Sequence, residues 1–243
     1  MSNYLILSHK PWNKSLISKM SSIFPEDNWF FIDNKDDFNT GSIKNISPAY
    51  IFIPHWSYII EREIYENYNC IVFHMTDLPF GRGGSPLQNL ISRGFSETKI
   101  SAIVVEKKMD AGPVYLKKNL SLLGTAEEIF IRANNVIQIM ITEIINKNIK
   151  PKPQIGTPEI FKRRTKEMSK INDEIISSED LYDHIRMLDA EEYPKAYFET
   201  KFFKFEFSRA SIKSNGTIIT DVKIKKSIDL AFNRIKKFHS KQK

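Results

Sequence analysis

The chain has 243 residues, of which 41% are apolar and 27% charged, as is ordinary for one large globular domain or a domain with an appendage. A formal net charge of +7 favours anionic partners such as nucleic acid, phosphorylated small molecules or an acidic membrane surface. No apolar run is long enough to cross a bilayer, so we predict a cytoplasmic protein that does not span a membrane.

The first half of the chain alternates apolar runs with segments of helical character. The N-terminal sequence MSNYLILSHK lacks a basic region and a cleavage site, so no signal peptide is predicted. Apolar runs predict strands, in chain order, at residues 4–8, 28–33, 49–54 and 70–74. A short helix is predicted after the first strand and another at 61–69. The single cysteine, Cys70, excludes an internal disulfide and is typical of a reducing compartment.

The second half of this region continues the pattern. Pro86 suits the first turn of a helix, and two further strands are predicted at 100–107 and 112–122. Residues 125–148 predict a long helix that begins at a Thr cap with acidic residues in its first turn. Continuous apolar strands separated by helices predict an α/β fold with a mainly parallel, doubly wound sheet.

The composition of the sequence changes after Lys150. Residues 151–195 are rich in proline and basic residues and are interpreted as a linker with one short helix, which leaves 1–150 as the α/β domain. Residues 196–243 alternate around Asn215-Gly216 and predict a small β-rich appendage, a hairpin with a basic tail. A basic run at a terminus is most often a solvated helix face or a frayed end.

Several common site types are not supported by the glycine-rich stretch FHMTDLPFGRGGSPLQNL at 73–90. The run G-R-G-G-S-P matches neither a dinucleotide fingerprint nor a phosphate loop, and the turn after the first strand has no glycine. Ser85 does not lie in a nucleophile elbow, and the histidines and the cysteine lack metal-ligand spacing. These observations argue against a nicotinamide enzyme, a serine hydrolase and a metal centre.

His74 ends the fourth predicted strand, where ligands collect on open parallel sheets. Asp110 lies in K-K-M-D-A-G-P-V, between two predicted strands, and an acid there could orient an imidazole and stabilise its charge. A histidine at a strand end and a D-A-G turn are also common structural features. The residues alone therefore leave a catalytic pair and a structural pair open.

The same residues resemble the folate-dependent formyltransferases, a family with a strand ending in N-x-H, then S-L-L-P, then a basic residue and glycine before a helix. The matching positions here are His74, Thr76, Leu78, Pro79, Arg82, Gly83, Pro86 and Gln88. The family's D-x-G element matches Asp110 and Gly112, and Asp110 follows His74 at the family's interval of 36 residues. GTPEIFKRRTKEMSKIN and IRMLDAEEYPKAYF resemble the family's linker and the stretch after it, so the likeness runs from about residue 45 to 200.

One position departs from the family pattern. The asparagine that precedes the family's histidine by two residues, and helps to hold the formyl oxygen, is Val72 here. We expect Asn89, Gln88 or His55 to direct a polar atom toward His74 in its place. The alternatives are that His74 carries this role alone or that the chain is an inactive folate-binding homologue.

The resemblance implies acyl transfer from N10-formyltetrahydrofolate to an amine. His74 would donate to the developing oxyanion, and Asp110 would orient His74 and assist removal of a proton from the amine. The implied cofactor-binding residues are Trp56, Ser57, Tyr58, Ile60, Met109 and Asp110. The implied substrate-binding residues are Lys10, Asn13, Lys14, Thr76, Arg82, Gly83 and Gln88.

The acceptor amine is inferred from the length and layout of the chain. The small C-terminal appendage resembles the sugar N-formyltransferases more than the transfer-RNA enzymes, which carry a larger C-terminal barrel. We therefore predict a nucleotide-linked 4-amino-4,6-dideoxy sugar, UDP-linked rather than dTDP-linked, for surface glycan synthesis. A nucleic-acid partner is not expected, and a homodimer is left open. Methionyl-tRNA formyltransferase is the alternative.

Overall fold

The computed structural model describes residues 1–227 and centres on a six-stranded sheet. Its strands are β1 (Asn3–Ser8), β2 (Asn28–Ile32), β3 (Tyr50–His55), β4 (Cys70–His74), β6 (Glu97–Val104) and β7 (Val114–Ser121). A two-residue strand, β5 (Arg82–Gly83), lies outside this sheet. The sheet order is β2-β1-β3-β4-β6-β7, so the chain reverses direction across the sheet between β1 and β3.

The four strands from β2 to β4 are parallel, whereas β6 runs antiparallel to β4 and β7 antiparallel to β6. The predicted α/β fold with a mainly parallel sheet is confirmed. The sequence did not predict the antiparallel edge, because a strand that is buried on both faces has the same apolar pattern in either direction.

The helices of this region connect the strands. They are α1 (Ser15–Ile23), α2 (Thr40–Ile46), α3 (Arg62–Asn67), α4 (Pro86–Ile91) and α5 (Ala126–Lys147). Helix α2 falls in a segment that the sequence did not predict as helical. It forms because the Asn39 side chain accepts a hydrogen bond of 3.0 Å from the backbone N–H of Ser42, while Ile43 is wholly buried.

The core consists of aliphatic side chains from the sheet and its helices. One cluster joins Leu5 and Leu7 of β1 to Ile51 and Ile53 of β3 and to Cys70 of β4. Each fully buried aliphatic side chain of this kind stabilises the fold by about 2 kcal/mol. Burial also raises the pKa of the Cys70 thiol to about 12, so this cysteine is an unreactive core residue.

Helix α5 presents a buried stripe at a helical period. The stripe consists of Ile129, Ala133, Ile137, Met140 and Ile144. Residues spaced three and four apart lie on one face of a helix, so this long helix buries one side and leaves the other in solvent.

The segment predicted as a linker is partly built into the first compact unit of the chain. Residues 128–163 cluster with 1–90 and 95–123. Within them, strand β8 (Ile160–Phe161) pairs in parallel with β5, and Lys152 forms an isolated bridge with Val114. The linker boundaries stay a prediction, but the part before residue 164 packs with the sheet that carries His74.

The second compact unit contains, among the described residues, 91–94, 124–127 and 164–227. Its helix α6 (Ser178–Arg186) begins at Ser177, whose hydroxyl accepts a hydrogen bond of 3.0 Å from the Asp180 N–H. Strands β9 (Ala196–Glu199), β10 (Phe203–Ile212) and β11 (Ile218–Lys226) form an antiparallel sheet in the order β11-β10-β9.

The predicted hairpin turn at Asn215-Gly216 joins β10 to β11. Strand β9 is an addition that the sequence did not predict. Residues 228–243, which carry most of the predicted basic tail, lie outside the described residues. Within residues 1–227, none of the helices is long and apolar enough to span a bilayer.

Candidate active site

His74 is the last residue of β4, and its side chain is buried. Its Nε2 lies 2.7 Å from the carbonyl oxygen of Gly81, which is an acceptor only, so Nε2 carries the proton and donates. This contact fixes both the ring orientation and the tautomer. The neutral ring then presents the Nδ1 lone pair on its other side, and the protonated ring presents a second N–H there.

The loop that supplies the Gly81 carbonyl is held by side chains of the neighbouring strands. Ser101 on β6 donates 2.7 Å to the Thr76 carbonyl and accepts from the Leu78 N–H at 3.3 Å. Asp77 is paired with Lys117 at 2.5 Å and with Lys99 at 2.9 Å. Burial alone would raise the pKa of Asp77, but these two lysines outweigh it and the net shift is downward. The acceptor for His74 is therefore fixed before any ligand binds.

Asp110 lies on the loop between β6 and β7, with one carboxylate oxygen 3.7 Å from His74 Nδ1. This distance allows strong electrostatic interaction but is longer than a hydrogen bond. The other carboxylate oxygen accepts the Gly83 N–H at 2.8 Å. Asp110 has φ +50°, a left-handed conformation that Asp adopts more readily than most residues. The structure thus brings together the two residues predicted to be catalytic.

The side chains predicted to replace the family asparagine are engaged elsewhere. The Asn89 amide nitrogen donates to the carbonyl oxygens of Gly84, Ser85 and Lys162, each at 3.0 Å. Gln88 is buried on α4. Val72 packs against the core cluster described above. The expectation that one of these side chains serves the oxyanion stays a prediction, and His74 is the group that the structure places at Asp110.

His55, the third predicted substitute, belongs to an aromatic cluster at the ends of β1 and β3. Its ring packs edge-on against Phe130 at 5.9 Å and Trp12 at 6.1 Å between centroids, and His9 is 5.4 Å away. Burial, with Lys10, His9 and Arg163 nearby, lowers the pKa of His55 to about 3. His55 is therefore neutral at physiological pH.

This depressed pKa predicts acid sensitivity of the fold. Because unfolded His55 titrates near 6.5 and folded His55 near 3, the unfolded state binds the proton first and stability falls as pH drops below 6.5. At pH 5 the loss is about 2 kcal/mol from this residue. We expect His55→Gln to remove part of the difference between urea-unfolding free energies at pH 7 and pH 5. An equal difference in both proteins would contradict the assignment.

The two loops assigned to the folate carry side chains that suit a flat aromatic ligand. Tyr58 is 48% exposed and Met109 is 66% exposed, and Ser57 is also exposed. Trp56 and Ile60 are partly buried against the core cluster. The indole N–H of Trp56 is buried and has no hydrogen-bond partner among residues 1–227. Exposed apolar surface beside an unused donor is what a pterin-binding site needs, so these residues fit the group.

Three of the predicted substrate-binding residues lie at the start of the first strand-to-helix connection. Asn13 is buried, accepts from the Ser8 hydroxyl and donates to Asn134, each at 2.7 Å. Lys10 is buried with its ammonium 5.6 Å from the Trp12 ring. Lys14 is exposed and pairs with Asp33 at 3.1 Å. Lys14 is thus the most accessible of the three.

The other predicted substrate-binding residues surround the catalytic pair. Thr76 is wholly buried beneath the loop and donates to the Gly81 carbonyl at 3.3 Å. Gly83 binds Asp110, and Arg82 binds Gln154, a residue that sequence reasoning missed. No composition or motif signal marks Gln154. Among the described residues, no cluster of His, Cys, Asp or Glu side chains could hold a metal ion.

Comparisons with known proteins identify the family. A family model described as methionyl-tRNA formyltransferase, C-terminal domain, matches residues 166–225. The solved structure of a methionyl-tRNA formyltransferase from Clostridium thermocellum is 48% identical, with a TM-score of 0.90, over 93% of this chain and all of that chain. The chain belongs to the folate-dependent formyltransferase family. The predicted family is confirmed, and with it the family's formyl donor, N10-formyltetrahydrofolate.

A curated relative gives the same indication over a shorter region. The methionyl-tRNA formyltransferase of Thermodesulfovibrio yellowstonii is 30% identical over 146 residues, which is 57% of this chain and 47% of that protein. Across the first four relatives of this kind, the chain spans between 47% and 72% of their length.

The predicted nucleotide-sugar acceptor is wrong. The sugar N-formyltransferase from Shewanella sp. FDAARGOS_354 is only 15% identical, with a TM-score of 0.65, over 91% of this chain and 96% of that one, which shows a shared fold alone. The error came from judging the C-terminal region by its size. Its sequence at 166–225 matches the C-terminal domain of methionyl-tRNA formyltransferase, although the strands described in this region, up to residue 227, form only a small three-stranded sheet.

Proposed function

We propose that this chain transfers the formyl group of N10-formyltetrahydrofolate to the α-amino group of methionyl-tRNA. The observation that carries the proposal is the 48% identity to the Clostridium thermocellum methionyl-tRNA formyltransferase over the full length of that chain. The match of residues 166–225 to the C-terminal domain of such enzymes supports it independently of the catalytic residues. Transfer RNA also suits the net charge of +7.

In formyl transfer, the protein must stabilise a developing negative charge and must accept a proton. Negative charge develops on the formyl oxygen, and the attacking amine must lose a proton. When bound, the folate supplies the formyl carbon that is attacked. Trp56, Tyr58, Ile60 and Met109 would hold its pterin ring.

His74 would stabilise the negative charge, and Asp110 would accept the proton. The Gly81 carbonyl occupies Nε2, so His74 would contact the oxyanion through Nδ1. The Asp110 carboxylate, 3.7 Å from Nδ1, would accept the proton that the amine loses, and this proton would pass to N10 of tetrahydrofolate as the bond from N10 to the formyl carbon breaks. Because Gly83 binds one carboxylate oxygen, the other is directed toward His74. His74 is buried and Asp110 is partly buried, so water competes weakly for these contacts.

The acceptor is tested with the purified full chain and N10-formyltetrahydrofolate. We expect formylation of methionyl-tRNA at the α-amine, measured as acid-stable formylmethionine released from the RNA. Methionyl-tRNA acetylated at its amine is the matched control and should accept no formyl group. Because nucleic-acid contacts release counterions, the KM for the RNA should rise steeply with salt.

A panel of nucleotide-linked amino sugars provides the opposing outcome. Formylation of one of these sugars at rates above those for methionyl-tRNA would overturn the proposal. An absence of transfer to either acceptor, in a chain that binds tetrahydrofolate, would also overturn it.

A further inference from the structure

We propose that Gln154 is a positioning residue that holds Asp110 against His74. Its side-chain nitrogen donates to two carbonyl oxygens of the D-A-G loop, those of Asp110 and Gly112, each at 2.9 Å. Its side-chain oxygen accepts two hydrogen bonds from the Arg82 guanidinium, from Nη2 at 2.7 Å and from Nε at 3.1 Å. The nitrogen and the oxygen of the Gln154 amide thus both bind residues in or next to the catalytic pair. The kinetic consequences of this inference rest on the proposed function.

These contacts close a ring around the Asp110 carboxylate. Arg82 precedes Gly83, and the Gly83 N–H donates to Asp110. Gln154 joins the Arg82 side chain to the Asp110 backbone, so the aspartate is held through both its carboxylate and its carbonyl. Asp110 has φ +50°, a conformation that Asp tolerates better than most residues but that still lies above the common backbone minima, and these contacts stabilise it.

Gln154 is itself fixed by the backbone on either side. Two residues earlier, Lys152 exchanges backbone hydrogen bonds with Val114 at 2.7 and 2.9 Å. Further along, β8 pairs with β5, and the Arg82 N–H donates 2.9 Å to the Glu159 carbonyl. The Gln154 side chain is half-buried between these anchors. The segment after α5, through Lys152 and Gln154, therefore holds the D-A-G loop in place.

Two substitutions separate the two ends of the amide. Gln154→Ala removes all four hydrogen bonds. Gln154→Glu keeps the length and the acceptors for Arg82 but replaces the donor with a carboxylate facing two carbonyl oxygens. If the donated bonds position Asp110, the glutamate variant will resemble the alanine variant. If Gln154 serves only to hold Arg82, the glutamate variant will resemble the parent.

The positioning role is measured on the full chain in two ways. We expect faster backbone amide exchange at residues 105–112 in both variants, in the absence of any ligand. In the methionyl-tRNA assay we expect kcat to fall by about 10²-fold, as for a catalytic group displaced by about 1 Å, with a smaller change in KM for the formyl donor. Lys152→Ala is the matched control, because this exposed residue contributes through its backbone.

The two measurements distinguish the inference from the proposed function. Unchanged exchange at 105–112 in Gln154→Ala, or parental kcat in Gln154→Glu, would overturn the positioning role. Faster exchange in a chain that formylates no acceptor would overturn the proposed function and leave the structural role of Gln154 supported.

Discussion

Replacing His74 with alanine is expected to lower kcat for formyl transfer by about 10²-fold or more, because it removes the buried ring that we propose to contact the reacting oxygen. The ring is held by the Gly81 carbonyl at 2.7 Å, so no neighbouring side chain can move into its place without rebuilding that loop. The measurement is single-turnover formylation of methionyl-tRNA. The melting temperature should show that the variant remains folded.

Asp110→Asn tests the charge at constant shape and should lower kcat by a similar factor. The asparagine oxygen can still accept the Gly83 N–H, so the loop keeps its geometry while the negative charge 3.7 Å from His74 Nδ1 is lost. Asp36→Asn, in an exposed loop, is the matched control and should leave kcat unchanged. Parental kcat in either His74→Ala or Asp110→Asn would contradict the assignment of the pair.

The sequence predicted that His74 and Asp110 lie together, but it did not predict the residues that hold them. His74 ends a buried apolar strand, and Asp110 sits beside a glycine at the family interval, so both carry local signals. Gln154 lies 44 residues from Asp110 in a proline-rich stretch that carries no periodicity. Its role depends on the bridge between Lys152 and Val114, a tertiary contact that no local pattern encodes.

Tertiary contacts also determine the role of two polar residues near the site, and the sequence does not show these contacts. Asn13 ends a short 3-10 helix and Thr76 lies in a loop, both in connections between longer elements, where polar residues are usually exposed and available to ligands. Both are buried here because Asn134 and the Gly81 carbonyl satisfy their hydrogen bonds. Each of these partners is identified only by the folded chain, so a pattern of residue types could not separate substrate contacts from internal ones.

The acceptor could not be predicted from architecture. The small three-stranded sheet of β9, β10 and β11 resembles an appendage in size. Size measures how much surface a unit offers, whereas recognition depends on which side chains cover that surface. The sequence of 166–225 carries the second kind of information, and it matches the C-terminal domain of methionyl-tRNA formyltransferase.

Gly112→Ala is expected to destabilise the fold by about 3 kcal/mol or more and to abolish most formyl transfer. A Cβ at this position would lie 1.9 Å from the Val104 carbonyl oxygen, well inside van der Waals contact. The atom in the way belongs to the backbone and not to a flexible side chain. Because the Val104 N–H donates to the Pro113 carbonyl at 2.9 Å, neither Val104 nor the turn at Gly112 can move without breaking the adjacent β6–β7 pairing.

The loss of activity follows from the same displacement. The Gly112 carbonyl accepts one of the two hydrogen bonds from Gln154, and Asp110 lies two residues earlier, so a shift of this turn carries the carboxylate away from His74. Urea unfolding and single-turnover kinetics measure the two effects. Gly41→Ala in α2 is the matched control, because its Cβ would meet only the Asn39 side chain, at 3.3 Å, and alanine favours a helix. A Gly112→Ala protein as stable and as active as Gly41→Ala would show that the D-A-G turn does not require its glycine.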